Sequence, residues 1–254
     1  MPYLDRDGVQ IYYEDHGTGP ATLLTHGYTA TLRMWDPQVA ACGDLYRIIR
    51  WDMRGHGASD SPSDPAAYSH EATVADMAAI LDACGVERAV IGGLSLGGFM
   101  SLAFHVAHPQ RVKALMLFDT GPGYKKAEAR AEWNRLAEGY AVGFETQGLA
   151  ALGDSAEVRA ATHRSAQGLA RAARGMLAQR DAQVIESLPR IAVPTLLIAG
   201  SEDKPFLAAM EYMTAKIPGA RKVIIASAGH APNLEQPGAF NAAVASFLEG
   251  LNLH

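Results

Sequence analysis

The chain has 254 residues, 48% of them hydrophobic, and its 22 Lys and Arg against 27 Asp and Glu leave a net charge of −5. That length supports one sizeable core, and a mildly acidic balance without a basic stripe points away from a nucleic-acid partner. No stretch approaches the ~20 apolar residues of a membrane span, and the opening Met1-Pro2-Tyr3-Leu4-Asp5-Arg6-Asp7 carries no apolar leader. Cys42 and Cys84 have neither metal nor redox spacing. The expectation is a cytoplasmic protein with two reduced thiols and no membrane partner. Oligomeric state is not readable from these features.

In chain order, residues 9–14 form a short mixed run ahead of the turn cluster Gly17-Thr18-Gly19-Pro20. Residues 22–25 read as a buried-type strand ending at His26-Gly27, and residues 46–51 as another ending at Asp52-Met53-Arg54-Gly55-His56-Gly57. Val74, Met77, Ala78 and Leu81 recur at helical spacing. Residues 89–94 are an apolar run, and residues 96–107 a helical stretch. Further apolar runs cover residues 112–118, 193–199 and 222–226, and a helix closes the chain over residues 237–251. Strands without polar alternation imply burial on both faces, as in a parallel sheet covered by helices. The alternating strand–helix order agrees. Residues 121–187 break this rhythm with several expected short helices, and their nine Lys and Arg nearly balance eight Asp and Glu.

Between the run at 89–94 and the helix at 96–107 lies Gly93-Leu94-Ser95-Leu96-Gly97. Gly-x-Ser-x-Gly at a strand-to-helix turn is the setting of a nucleophile elbow, which holds a serine hydroxyl above the sheet. A serine needs a base, a group that orients the base, and donors for the oxyanion. The base candidate is His230, which follows an acid in the order Ser, Asp, His. His26, at a strand end, competes for that role. His56 reads as a structural turn histidine, and His16, His70, His163 and His254 as surface residues. His105 and His108 lie three apart on one helix, with no third metal ligand evident, and read as solvated or capping. The acid candidate is Asp203 in Gly200-Ser201-Glu202-Asp203; an N-cap role is its alternative, and Asp119 is the competing carboxylate. Backbone N–H groups of Leu96 and Tyr28 are the expected oxyanion donors, the latter from the loop His26-Gly27-Tyr28-Thr29. His26, Tyr28, Trp133, Tyr140 and Phe144 are candidate pocket residues, with attachment of the 121–187 segment as the alternative for its three aromatics. Its arginines either hold a substrate carboxylate or pair on a solvated face.

His26-Gly27-Tyr28, Asp52-x-Arg54-Gly55-His56-Gly57-x-Ser59-Asp60, Gly93-x-Ser95-x-Gly97-Gly98, Gly200-x-x-Asp203 and Gly229-His230 together resemble the α/β-hydrolase superfamily. The resemblance implies an α/β-hydrolase fold: an eight-stranded, mostly parallel sheet flanked by helices. It further implies a core of residues 1–120 and 188–254 with a helical cap at 121–187. Serine at the elbow separates the chain from haloalkane dehalogenases and epoxide hydrolases, which carry aspartate there. Carbon–carbon bond hydrolases usually show Gly-Asn-Ser-x-Gly, and Leu94 departs from that. Arg33-Met34-Trp35-Asp36-Pro37-Gln38 with the elbow is similar to 3-oxoadipate enol-lactonases and small carboxylesterases; His26-Gly27-Tyr28-Thr29 departs from the His-Ser-Leu-Gly commoner in those lactonases. The implied activity is serine hydrolysis of a small-molecule ester or lactone through an acyl-enzyme, needing neither metal nor organic cofactor. Carbon–carbon bond cleavage, thioester hydrolysis and peracid formation on the same residues are the alternatives, together with a ligand-binding homologue that does no chemistry.

Overall fold

The computed structural model describes residues 3–43 and 45–251; His254, read above as a surface residue, and Met1 and Pro2 lie outside them. The strands are β1 (Tyr3–Arg6), β2 (Val9–His16), β3 (Ala21–Thr25), β4 (Arg47–Trp51), β5 (Ala89–Leu94), β6 (Val112–Phe118), β7 (Thr195–Gly200) and β8 (Arg221–Ile225). They form one sheet in the order β1-β2-β4-β3-β5-β6-β7-β8. β1 and β4 each pair antiparallel with β2, and every pairing from β4 onward is parallel. This is the α/β-hydrolase sheet. β3, β5 and β7 are buried at every residue, as expected of apolar runs covered on both faces.

The helices, in chain order, are α1 (Asp36–Cys42), α2 (His70–Ala83), α3 (Leu96–Ala107), α4 (Ala127–Gln147), α5 (Ala156–Arg159), α6 (Ala166–Ala172), α7 (Gln183–Ser187), α8 (Lys204–Lys216), α9 (Pro232–Glu235) and α10 (Pro237–Glu249). One face of the sheet packs against Met77, Ile80 and Leu81 of α2, Met100 and Phe104 of α3, and Met210 and Met213 of α8. The other packs against Trp35, Cys42 of α1, and Phe240, Val244 and Phe247 of α10. No helix among the described residues is long and apolar enough to cross a membrane.

Five expectations change. β1 escapes the pattern reading; it returns on β2 through Asp7 and Gly8, both at positive φ, and an Asp-Gly pair is the turn signal that could have shown it. β8 is an edge strand rather than a doubly covered one, with Arg221, Lys222 and Ile224 exposed, because no strand among the described residues pairs beyond it. His163 is buried, not a surface residue: its Nδ1 accepts from Gly57 N at 3.2 Å and its Nε2 donates to Thr29 O at 2.9 Å. His70 likewise reaches inward to Met176 O, at 2.9 Å, and His105 is buried rather than solvated.

Buried charge fixes the turn after β4. Arg54 donates twice to Asp76 of α2, at 2.7 and 2.8 Å, and Asp76 is fully buried. Asp52 accepts from Leu32 N and Ala58 N, both at 2.8 Å, and its burial pushes its carboxyl up to about 6.

The tightest packing lies where β5 turns into α3. A Cβ on Gly97 would stand 2.1 Å from Thr25 O, and one on Gly93 would stand 2.4 Å from the Gly97 carbonyl carbon. Both distances lie inside van der Waals contact with backbone, which cannot swing aside. Gly97→Ala should therefore lower stability by about 3 kcal/mol or more. Gly139→Ala should instead raise it by about 0.5–1 kcal/mol, because Gly139 lies within α4 with nothing within 4 Å of its Cβ position. Urea midpoints of the two variants, with wild type alongside, check the opposite signs.

Candidate active site

β3, β4, β5, β6, β7 and β8 end on one rim of the sheet, the edge at which open α/β sheets bind ligands. Ser95 stands there at φ 55°, ψ −116°, a conformation closed to most side chains. Neighbours hold it in place. Its N–H donates to Phe118 O at 2.9 Å, and its carbonyl accepts from Thr120 Oγ1 at 2.6 Å and from Phe99 N at 3.1 Å. The side chain opens upward at the N-terminus of α3.

Asp203 follows β7 and occupies the N-cap position of α8, but makes no cap hydrogen bond with its side chain. That carboxylate accepts instead from Nδ1 of His230, at 2.5 Å. The bond fixes the imidazole tautomer and leaves Nε2 bare. The loop carrying His230 is clamped by Glu235, whose two oxygens accept from Gly229 N at 2.6 Å and Ala231 N at 3.1 Å. Pattern reading missed Glu235; its place five residues beyond the histidine, at the end of a short helix, is a weak signal.

Asp119 comes into this cluster from the end of β6, at φ 39°. One ligand atom from each of Asp119, Asp203 and His230 can be chosen so that all lie within 4.8 Å, the one such grouping of His, Cys, Asp or Glu among the described residues. Asp119 Oδ1 accepts from Gly200 N at 2.9 Å, while Oδ2 is buried without a donor, and the Asp203 carboxyl lies within hydrogen-bonding reach. Burial, first, and the adjacent Asp203 push the Asp119 carboxyl up to about 9. Burial beside a second carboxyl favours the protonated form of Asp119.

The loop after β3 abuts the elbow: a Cβ on Gly27 would lie 3.5 Å from Ser95 Cβ. Tyr28 N–H has no hydrogen-bond partner among the described residues, and Leu96, the first residue of α3, has none within its helix. His26 is neither base nor pocket wall. It is fully buried, its Nδ1 donates to Gly27 O at 2.6 Å and its Nε2 accepts from Met53 N at 3.0 Å. Burial holds it neutral, with its pKa lowered to about 3.

A cavity of about 290 Å³ opens beside Ser95, Leu96, Phe99 and Thr120. Trp133 and Tyr140 line it, as expected of pocket residues. Phe144 does not; it packs with Ala141, Leu169 and Ala173. Tyr28 also stays out of the wall, because its hydroxyl donates to Leu169 O at 2.9 Å and its ring meets Phe144 edge-on. Phe206 lines the cavity and packs on His230, with ring centroids 4.9 Å apart, so the Asp203–His230 pair lies directly behind a residue of the wall that Ser95 shares.

None of the arginines of residues 121–187 lines the cavity. Arg174 is held by Glu138 and Glu145. Arg130 donates to Tyr124 O and Lys125 O, Arg164 to Ala58 O and Arg171 to Pro62 O. Arg159 pairs with Asp154 and Arg180 with Glu71, while Arg135 is exposed on α4. Of the two expectations for these arginines, the structure supports the solvated, paired face.

Comparison with known proteins follows the same lines. A 3-oxoadipate enol-lactonase of Acinetobacter baylyi is 31% identical over 98% of this chain and 97% of its own length. A Bacillus subtilis protein provisionally named a 2-succinyl-6-hydroxy-2,4-cyclohexadiene-1-carboxylate synthase is 28% identical over 96% of this chain and 97% of its own. The solved structure of a thermophilic esterase from Thermogutta terrifontis, with malate bound, superposes with a TM-score of 0.82 at 29% identity, covering 98% of this chain and 97% of that one. Residues 22–243 match the family described as "Alpha/beta hydrolase family", and with that span, this sheet order and these relatives, the chain belongs to the alpha/beta hydrolase family.

Proposed function

We propose that this protein is a serine hydrolase that cleaves small carboxylic esters or lactones through an acyl-enzyme. The observation that carries the reading is a serine at φ 55° on the strand-to-helix turn, lining a cavity whose wall residue Phe206 packs on the His230 of a hydrogen-bonded Asp203–His230 pair. Ser95 Oγ attacks the carbonyl carbon while His230 Nε2 takes its proton. Asp203 holds the imidazole and stabilises its charge. Leu96 and Tyr28 N–H groups receive the oxyanion, helped by the positive end of α3. The carbon–oxygen bond to the leaving group then breaks, and His230 returns the proton to that oxygen. Water, deprotonated by His230, hydrolyses the acyl-enzyme and frees Ser95. Residues 121–187 act as a cap whose Trp133 and Tyr140 shape the cavity.

Asp119 has a supporting role in this scheme. Its protonated carboxyl donates to Asp203 while accepting from Gly200 N, which orients the acid without competing for His230. The named esterase and enol-lactonase among the relatives favour ester or lactone cleavage over other reactions on the same residues.

Ser95→Ala should abolish turnover of p-nitrophenyl acetate above background; retained turnover would overturn the assignment. Asp203→Asn should lower turnover roughly a thousandfold or more, while Asp119→Asn, which keeps both hydrogen bonds, should stay within about tenfold of wild type. The reverse ranking would move the acid to β6. Asp119 also has a signature in stability. Its folded-state pKa, about 9, lies above the ordinary 3.8, so the native state binds the extra proton over that range and wild-type stability falls as pH rises through it. Asp119→Asn has no such titration. Urea unfolding should show the variant gaining on wild type from about pH 5 to about pH 8.

A further inference from the structure

Resting on the serine hydrolase reading, we infer that the substrate is a neutral ester or lactone: an apolar body fills the cavity, one further hydrogen-bond acceptor meets Gln179, and a carboxylate inside the cavity is selected against. The walls carry the first part. Phe99, Trp133, Leu136, Tyr140, Leu177 and Phe206 surround the space, and no Lys or Arg among the described residues lines it. The nearby cations are committed elsewhere: Arg130 to backbone carbonyls, Arg174 to two glutamates and Arg180 to Glu71. Lys125 and Lys126 are exposed just beyond Tyr124. A carboxylate placed between such walls loses its water and gains no partner.

Gln179 supplies the second part. It is only 9% exposed, yet its side chain reaches the cavity wall. Its backbone is pinned by Asn134, which accepts from Gln179 N at 2.7 Å and donates to Gln179 O at 2.8 Å. Its Oε1 accepts from Tyr124 N at 3.1 Å, which settles which end of the amide is oxygen. Nε2 makes no hydrogen bond among the described residues and is left accessible at the wall. A substrate that covers this amide N–H₂ must supply an acceptor or leave the donor unmatched, and a carbonyl or ether oxygen does so without the hydration that a carboxylate would lose between these walls. Trp133 does not compete for that acceptor, since its Nε1 is spent on Leu177 O at 2.8 Å.

The test uses p-nitrophenyl esters matched in length and different only at the far end: hexanoate with a methyl, adipamate with a carboxamide, and hydrogen adipate with a carboxylate. Wild type should turn over hexanoate and adipamate with kcat/KM roughly 100-fold above hydrogen adipate. A ladder of ω-carboxamide esters from succinamate to adipamate should contain a best length, and Gln179→Glu, which keeps the Tyr124 contact, should lower that ester at least about tenfold relative to hexanoate. Hydrogen adipate matching hexanoate, with Ser95→Ala inert, overturns the neutral class and leaves the serine hydrolase intact. Adipamate as slow as hydrogen adipate, or no effect of Gln179→Glu at any length, overturns the role of Gln179. Equal turnover of all three by wild type and Ser95→Ala, or by neither, overturns the underlying reading as well.

Discussion

Everything at the rim depends on how closely α3 approaches β3 and β5. Gly93 and Gly97 remove the only atoms that would hold them apart, and the backbone of Thr25 fills the space where side chains would have been. That approach forces Ser95 into the left-handed region and ties it to β6 through Phe118. The same contact sets Gly27 against the elbow, so the loop after β3 and Ser95 share one fixed spacing. The local strain is not repaid locally. It is offset by the sheet and by the two apolar layers on its faces.

Four aspartates meet four different surroundings. Asp76 is fully buried, and Arg54 meets it with two hydrogen bonds. Asp52 has only backbone donors, and burial outweighs them enough to raise it to about 6. Asp203 is matched to His230. Asp119 has one backbone donor and a neighbouring carboxyl, and keeps its proton. The histidines divide in the same manner. His26 and His163 have both ring nitrogens engaged with backbone, whereas His230 presents a free one. His163 and Tyr28 also tie the inserted helices to loops beside the elbow, so the cavity wall is registered against the same frame as the serine.

The sheet was largely legible because β3 and β5 to β7 are covered on both faces, and their apolar runs stop where the cover stops. The hairpin of β1 was not, since a half-exposed strand of four residues has too short an alternation to stand out. At the site, Ser95, Asp203 and His230 could be proposed because their order and loop positions are local features. Which histidines are buried could not be read, because His163 is covered by residues more than a hundred positions away. The protonation of Asp119 was equally hidden: it follows from the meeting of two strand ends. Gln179 and Phe206 carried no pattern at all, and only the path of the inserted helices and α8 brings them to one wall.

The sheet ends at β8 with a row of backbone groups that no strand among the described residues satisfies. Such a row is a template for another chain, and an exposed Ile224 makes it stickier. Arg221 and Lys222 stand exposed at the start of the same strand, with Lys222 drawn to Glu211 on α8 and Arg221 over the Phe247 ring. A second copy docking edge to edge would have to bring like charges together and strip their water. The two cations thus oppose edge-to-edge docking at β8.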